Sequence, residues 1–240
     1  MNGYFITGTD TDIGKTTVGV SLLSAGARRG LRVAGLKPVE SGCERGADGQ
    51  LHPADASRLS SVSDPRWNCL AACCYRFEAA VAPGVAADDQ GVVIDFGTIR
   101  RHIDRLLADK PDLLLVEGAG GLLVPMGGGR TIAALARIVA MPLLIVASPG
   151  LGTINHTTLS VRVARSEGLE VAGFVFCQRS ERVEPLLESN AREIERAEGV
   201  RYLGCLPYLS GDMADEGAEL DREALASAAE TGLQLDRLLG

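Results

Sequence analysis

The chain has 240 residues, of which 46% are hydrophobic, 23% charged and 4% aromatic, with a formal net charge of −7. That is enough for one α/β domain with a shared core, expected over residues 1–240, and the acidic balance argues against a nucleic-acid or anionic-lipid partner. No apolar run approaches the roughly eighteen residues of a membrane helix, and a strand-like run begins as early as Tyr4. Neither a membrane span nor a signal peptide is expected, and the chain reads as cytoplasmic.

Short aliphatic or β-branched runs alternate with longer amphipathic ones. Strands are predicted over 4–7, 32–37, 113–117, 143–147, 171–177 and 202–206, and helices over 15–29, 96–108, 132–139, 154–167 and 182–197. Repeated strand–helix–strand units give a mostly parallel, doubly wound sheet with helices on both faces. The runs at 113–116 and 143–146 lack polar alternation, as strands covered on both faces should. Residues 42–95 are rich in Gly, Ala, Pro and Asp, with weak periodicity, and read as a long excursion carrying one short helix over 54–59. The acidic stretch 212–221 carries no functional pattern.

In such sheets ligands collect where strands end and lead into helices. The first strand runs into Gly8-Thr9-Asp10-Thr11-Asp12-Ile13-Gly14-Lys15-Thr16-Thr17, a phosphate-loop variant with five residues between Gly8 and Gly14. Successive backbone N–H groups and a helix starting near Lys15 form an anion nest; Lys15 would reach the β- and γ-phosphates and Thr16 would place its hydroxyl on Mg²⁺. A bare glycine turn is the plainer reading. Against it stand the Gly-Lys-Thr tripeptide and the scarcity of lysine, because only Lys15, Lys37 and Lys110 among 24 basic residues are lysines. Asp10 and Asp12 would repel phosphate unless they face a metal, a water or an amine, so they point to a cationic substrate.

Lys37 ends the second strand beside Pro38, facing the same crevice, although a solvated loop lysine has the same appearance. Glu117 follows four aliphatic residues, where P-loop proteins keep a metal carboxylate, and Gly118, Gly120 and Gly121 let backbone approach a ligand. The fourth strand leads into Gly150-Leu151-Gly152-Thr153-Ile154-Asn155-His156 and a helix. That start suits a carboxylate ligand, or is simply an Asn or Thr cap, and on spacing alone both readings stand. His156 reads as structural. The six cysteines show no C-x-x-C pairing and no histidine ladder, so no zinc site is expected. Cys177 and Cys205 read as small buried hydrophobes, while Cys69, Cys73 and Cys74 form a cluster open to a redox role.

Taken together, Gly8-Thr9-Asp10-Thr11 with Gly14-Lys15-Thr16, Lys37-Pro38-Val39 with Ser41-Gly42, Val116 to Gly121, and Leu151 to His156 resemble the dethiobiotin synthetase family, in order, over residues 3–209. The resemblance implies a three-layer P-loop NTPase fold and a Mg²⁺- and ATP-dependent cyclo-ligase. That enzyme closes 7,8-diaminononanoate (7,8-diaminopelargonate) and CO₂ into dethiobiotin through a carbamate and a carbamic–phosphoric mixed anhydride, releasing ADP and phosphate. A homodimer is also implied, with the substrate carboxylate held across its interface on backbone amides matching Thr153, Ile154 and Asn155.

By the same resemblance Lys37, Lys15 and Thr11 are catalytic, and Thr16, Asp55 and Glu117 hold the metal. Thr11, Lys37 and Ser41 line the diamine and carbamate site. The nucleotide is implied along Asp12, Ile13, Gly14, Lys15, Thr16 and Thr17, beside Asp55, Glu117, Gly118, Ala119 and Gly120, with its base near Cys177, Gln178, Pro207, Tyr208 and Leu209. Better-known members carry Asn-Asp where this chain has Cys177-Gln178. Cysteine is a poor substitute for an amide that both donates and accepts, so a loose base preference is expected. A P-loop ATPase switch of the partitioning or metal-insertion type would share the fold, but it commonly carries an extra lysine early in the loop, where this chain reads Thr-Asp-Thr-Asp. A non-catalytic nucleotide-binding module would leave Lys15, Thr16 and Glu117 surplus.

Overall fold

The computed structural model describes residues 2–67, 72–209 and 221–240; Cys69 and most of the acidic stretch, 212–220, lie outside the described residues. In chain order the first half comprises β1 (Asn2–Gly8), α1 (Lys15–Arg28), β2 (Val33–Leu36), β3 (Val39–Ser41), β4 (Glu44–Arg45), β5 (Leu51–His52), α2 (Ala54–Val62), β6 (Tyr75–Phe77), α3 (Pro83–Asp89) and α4 (Phe96–Ala108). The second comprises β7 (Leu113–Glu117), α5 (Ile132–Val139), β8 (Leu143–Ala147), α6 (Thr153–Ser166), β9 (Val171–Cys177), α7 (Leu187–Glu198), β10 (Tyr202–Leu206), α8 (Arg222–Gly232) and α9 (Leu235–Leu238).

Six strands pair in the order β10-β9-β8-β1-β7-β2, all parallel, which is the doubly wound sheet expected from the sequence. Alternation along each strand sends side chains to opposite helical layers. Phe5, Leu114 and Val116 pack with Phe96, Ile99 and Ile103 of α4 and with α5. Ile6, Leu113 and Leu115 pack with α1, α2 and α8. Farther along the sheet, Ile145, Phe174 and Phe176 meet α6 and α7.

The local chemistry of the helix starts is plain. Asp95 caps α4 by accepting from Gly97 N and Thr98 N, and Asp221 caps α8 by accepting from Glu223 N and Ala224 N. The predicted helix over 182–197 begins only at Leu187, because Pro185 keeps Glu184 out of helical conformation. The excursion after residue 42 is better ordered than its composition suggests. Within it β6 pairs in parallel with β3 just ahead of it, β4 and β5 form a short hairpin, α2 runs on to Val62, and Pro83 opens α3.

The C-terminal helices complete one layer, where Leu225, Leu235 and Leu238 are buried in the same cluster as Val18 and Leu22 of α1. Arg28 also pairs with Glu223 and Glu230 across this contact. Leu225→Ala is therefore expected to lower the unfolding free energy by about 2–5 kcal/mol in urea titrations. Val93→Ser, at a site 77% exposed, should leave it nearly unchanged. Equal effects from the two would contradict this placement of α8.

Candidate active site

Strands β1, β7 and β2 are neighbours, so the loop after β1, Glu117 at the end of β7 and Lys37 just beyond β2 emerge side by side. They line one cleft of about 580 Å³. The loop is shaped by Gly14, whose φ of +96° is a left-handed conformation and where a Cβ would come within 2.4 Å of Cys177 Sγ. Helix α1 then starts at Lys15 with no side-chain cap, leaving its amino end available to an anion. Lys15 Nζ donates to the Asp10 carbonyl oxygen at 3.1 Å, and burial holds this lysine below its ordinary pKa. The Asp10 carboxylate accepts from Thr11 N at 2.7 Å, so it shapes the loop itself, whereas Asp12 lines the cleft.

At the centre lies a buried charge cluster. The Lys37 ammonium pairs with Asp55 and lies 3.1 Å from Glu117 Oε1, which also accepts from the Thr16 hydroxyl at 2.8 Å. Burial alone would pull Lys37 down, but the facing carboxylates of Glu117 and Asp55 outweigh it and hold the ammonium above its ordinary pKa. Burial pushes Glu117 up, partly countered by Lys37, while Asp55 stays below the usual carboxylate range because the ammonium outweighs its burial. Glu117 Oε2 is buried and has no hydrogen-bond partner among the described residues.

Thr11, Asp12, Gly14, Lys15, Thr16, Thr17, Lys37, Ser41, Asp55, Glu117, Ala119 and Gly120 are thus brought together around the cleft. Others stand apart. Ile13 packs against the core, and a Cβ on Gly118 would meet Phe5 and Ile132 at 3.0 Å, so this glycine allows close packing behind the site. Cys177 is buried beneath Gly14, and burial pushes its thiol up to about 11. Gln178, Pro207, Tyr208 and Leu209 follow β9 and β10 outside the cleft lining, with Gln178 N donating to Leu206 O at 3.0 Å. Thr153, Ile154 and Asn155 open α6, also away from this cleft. Their cap reading is corrected: the N-cap is Gly152, which has no side chain to cap with, and the Thr153 hydroxyl meets that of Thr157 at 3.4 Å.

Three features of the site were not foreseen. Glu40, buried between Lys37 and Ser41, accepts from Asp55 N at 3.0 Å and Ala56 N at 2.9 Å. Burial pushes its carboxyl up to about 7. Ala80, Val81, Ala82 and Pro83, with Val124, give the cleft an apolar side, and Arg58 and Arg179 also line it. No local pattern announces these residues, since each reaches the cleft through tertiary packing. Gly14→Ala is expected to cost about 1–3 kcal/mol of unfolding free energy, part of it strain at positive φ, and Cys177→Ala should restore the part due to the clash. A double-mutant cycle showing no coupling between the two positions would contradict the placement of Cys177.

A family model described as an AAA domain matches residues 2–214. The chain is 40% identical over 208 residues to the ATP-dependent dethiobiotin synthetase of Anaeromyxobacter sp. (strain K), covering 87% of this chain and 91% of that one. It is 37% identical over 227 residues to the enzyme of the same name from Chromohalobacter salexigens, covering 91% and 94% of the two chains. Among solved structures, a chain of the MinC:MinD cell division protein complex of Aquifex aeolicus aligns with a TM-score of 0.58 over 96% of this chain and 95% of that chain. At 15% identity that likeness shows the α/β P-loop fold alone. Identity of this degree over nearly the full length of both partners is decisive, and the chain belongs to the dethiobiotin synthetase family.

Proposed function

We propose that residues 1–240, as one domain, catalyse the ATP-dependent conversion of 7,8-diaminononanoate and CO₂ to dethiobiotin. The observation that carries this reading is a single cleft with a phosphate loop, the Lys37–Asp55–Glu117 cluster and an apolar side formed by Ala80 to Pro83 and Val124. It offers separate surroundings for a triphosphate, a reacting carbamate and a chain of methylene groups. The names of the relatives supply the reaction.

The donor set fits Mg²⁺: Glu117 Oε2 is a buried carboxylate oxygen without a partner among the described residues, its Oε1 accepts from the Thr16 hydroxyl, and that hydroxyl also reaches the Asp55 carboxylate. Thr16, Asp55 and Glu117 would hold the ion, which when bound neutralises charge on the transferring phosphoryl group. Lys15, now resting on the Asp10 carbonyl, supplies the cation for the β- and γ-phosphates.

One substrate amine adds to CO₂ and loses a proton, giving a carbamate. A carbamate oxygen then attacks the γ-phosphorus and ADP leaves. The second amine attacks the carbamate carbon, phosphate departs, a proton is lost and the urea ring closes. Lys37 remains an ammonium throughout and balances negative charge on the carbamate and the phosphoryl oxygens, while Thr11 and Ser41 orient the nitrogen end of the substrate. The protein's contribution is positioning and charge complementarity rather than covalent catalysis.

The active form is a homodimer in which the start of α6 from one protomer receives the substrate carboxylate bound in the other. Supporting this, that helix start has no side-chain cap, lies away from its own cleft and is flanked by exposed Leu151 and Ile154. With Cys177 buried beneath the loop, the base is held mainly by Gln178 and Pro207 to Leu209, and discrimination among bases is weak.

Purified protein given the diamine, bicarbonate, Mg²⁺ and each nucleoside triphosphate in turn should form dethiobiotin with ATP and with at least one other triphosphate. Nucleotide hydrolysis equally fast without diamine, and no dethiobiotin, would contradict the ligase reading. Lys37→Ala should lower kcat by about 10²–10³-fold, the scale set by losing one charge-stabilising group, with nucleotide binding largely kept. Lost nucleotide affinity with preserved chemistry would contradict the role given to Lys37.

A further inference from the structure

Glu40 touches the cleft but has no task in the reaction steps. At 5% exposure it is an expensive place for a carboxylate unless its oxygens are engaged. Both oxygens are engaged, accepting from Asp55 N and Ala56 N in the first turn of α2. A helix start is ordinarily satisfied by a side chain at its own N-cap, but here that residue is Pro53, which offers no side-chain oxygen. The cap is instead brought from β3, which pairs in register with β6, Glu40 opposite Arg76. The same first turn carries Asp55, whose carboxylate reaches Lys37. The position of one cleft carboxylate is therefore set by another carboxylate on a separate element.

We propose that Glu40 is a positioning residue for the divalent cation: it ties the amino end of α2 to β3, so that Asp55 is presented to the ion together with Glu117. The inference rests on the reading of Asp55 as a metal ligand. It differs from a purely structural cap in what it predicts. Groups that orient a metal ligand through hydrogen bonds typically tune affinity by about 10–100-fold, whereas a helix cap alone changes stability. Glu40 also stands beside Lys37 and Ser41, so slackening this tie displaces the metal side of the cleft relative to the carbamate side.

The test is Mn²⁺ binding followed by electron paramagnetic resonance on the full chain, with ADP present, together with diamine kinetics. Glu40→Gln keeps the shape and one acceptor oxygen but turns an NH₂ group toward a backbone N–H. It should raise the Mn²⁺ dissociation constant by about 10–100-fold and raise the Mg²⁺ requirement for turnover, with the KM for diamine nearly unchanged. Built on Asp55→Asn, it should add no further loss, because its effect acts through Asp55. Wild-type Mn²⁺ affinity in Glu40→Gln, with Asp55→Asn weakened, would overturn the inference alone. An undiminished effect of Glu40→Gln in the Asp55→Asn background would overturn it as well. Wild-type affinity in Asp55→Asn would instead overturn the metal reading on which it rests. If Glu40→Gln does not fold, Glu40→Asp, which keeps both acceptors at shorter reach, must show the same dependence on Asp55.

Discussion

The site depends on one buried ammonium set between two carboxylates. Glu117 is fully enclosed at the end of β7, and an isolated carboxylate there would take up a proton. Lys37 makes its charge tolerable, and sheet register is what brings the two together. Leu36 pairs with Val116 in the parallel β2–β7 ladder, so the next residue on each strand, Lys37 and Glu117, comes out at the same level. Ile6 of β1 is in register with Glu117 on its other side, and two residues later β1 gives way to the loop that leads to Lys15 and Thr16. The contact between Thr16 and Glu117 is thus as much a product of strand pairing as of the loop motif. A buried pair of this kind is weak evidence for stability, but it holds three polar groups in one place for chemistry.

How much was legible in the sequence follows from the range of each signal. The six sheet strands were readable because burial on both faces produces unbroken aliphatic runs such as 113–116. Lys15, Thr16, Lys37 and Glu117 were readable because each sits at a fixed offset from a strand end, and because lysine is scarce. Asp55 came from family resemblance rather than from any pattern in its own segment. Glu40 was invisible for a related reason: it serves backbone N–H groups fifteen and sixteen residues away, and no local rule links a strand carboxylate to a distant helix start. The ribbon of β3 and β6 and the hairpin of β4 and β5 were missed because strands of two or three residues are too short to show a period.

Two residues changed meaning once their surroundings were visible. Asp10, read as part of an acidic substrate-facing loop, turns its carboxylate onto the neighbouring backbone and its carbonyl onto Lys15. Cys177, which the family resemblance sets beside the base, fills the space under Gly14 and supports the loop after β1 from below. Both shape the loop proposed to receive the phosphates, and under that proposal more of nucleotide recognition falls on the triphosphate than on the base.

The site is held by electrostatics, and the small number of lysines makes its charge state directly measurable. With ¹⁵N-labelled lysine, the side-chain ammonium signals of Lys15, Lys37 and Lys110 can be followed by NMR through a pH titration and assigned with Lys37→Arg. The Lys37 ammonium is expected to stay protonated well above the ordinary lysine range, while Lys15 loses its proton below it. If both titrate together in the ordinary lysine range, Lys37 is not held between Asp55 and Glu117, and the arrangement on which the site depends is wrong.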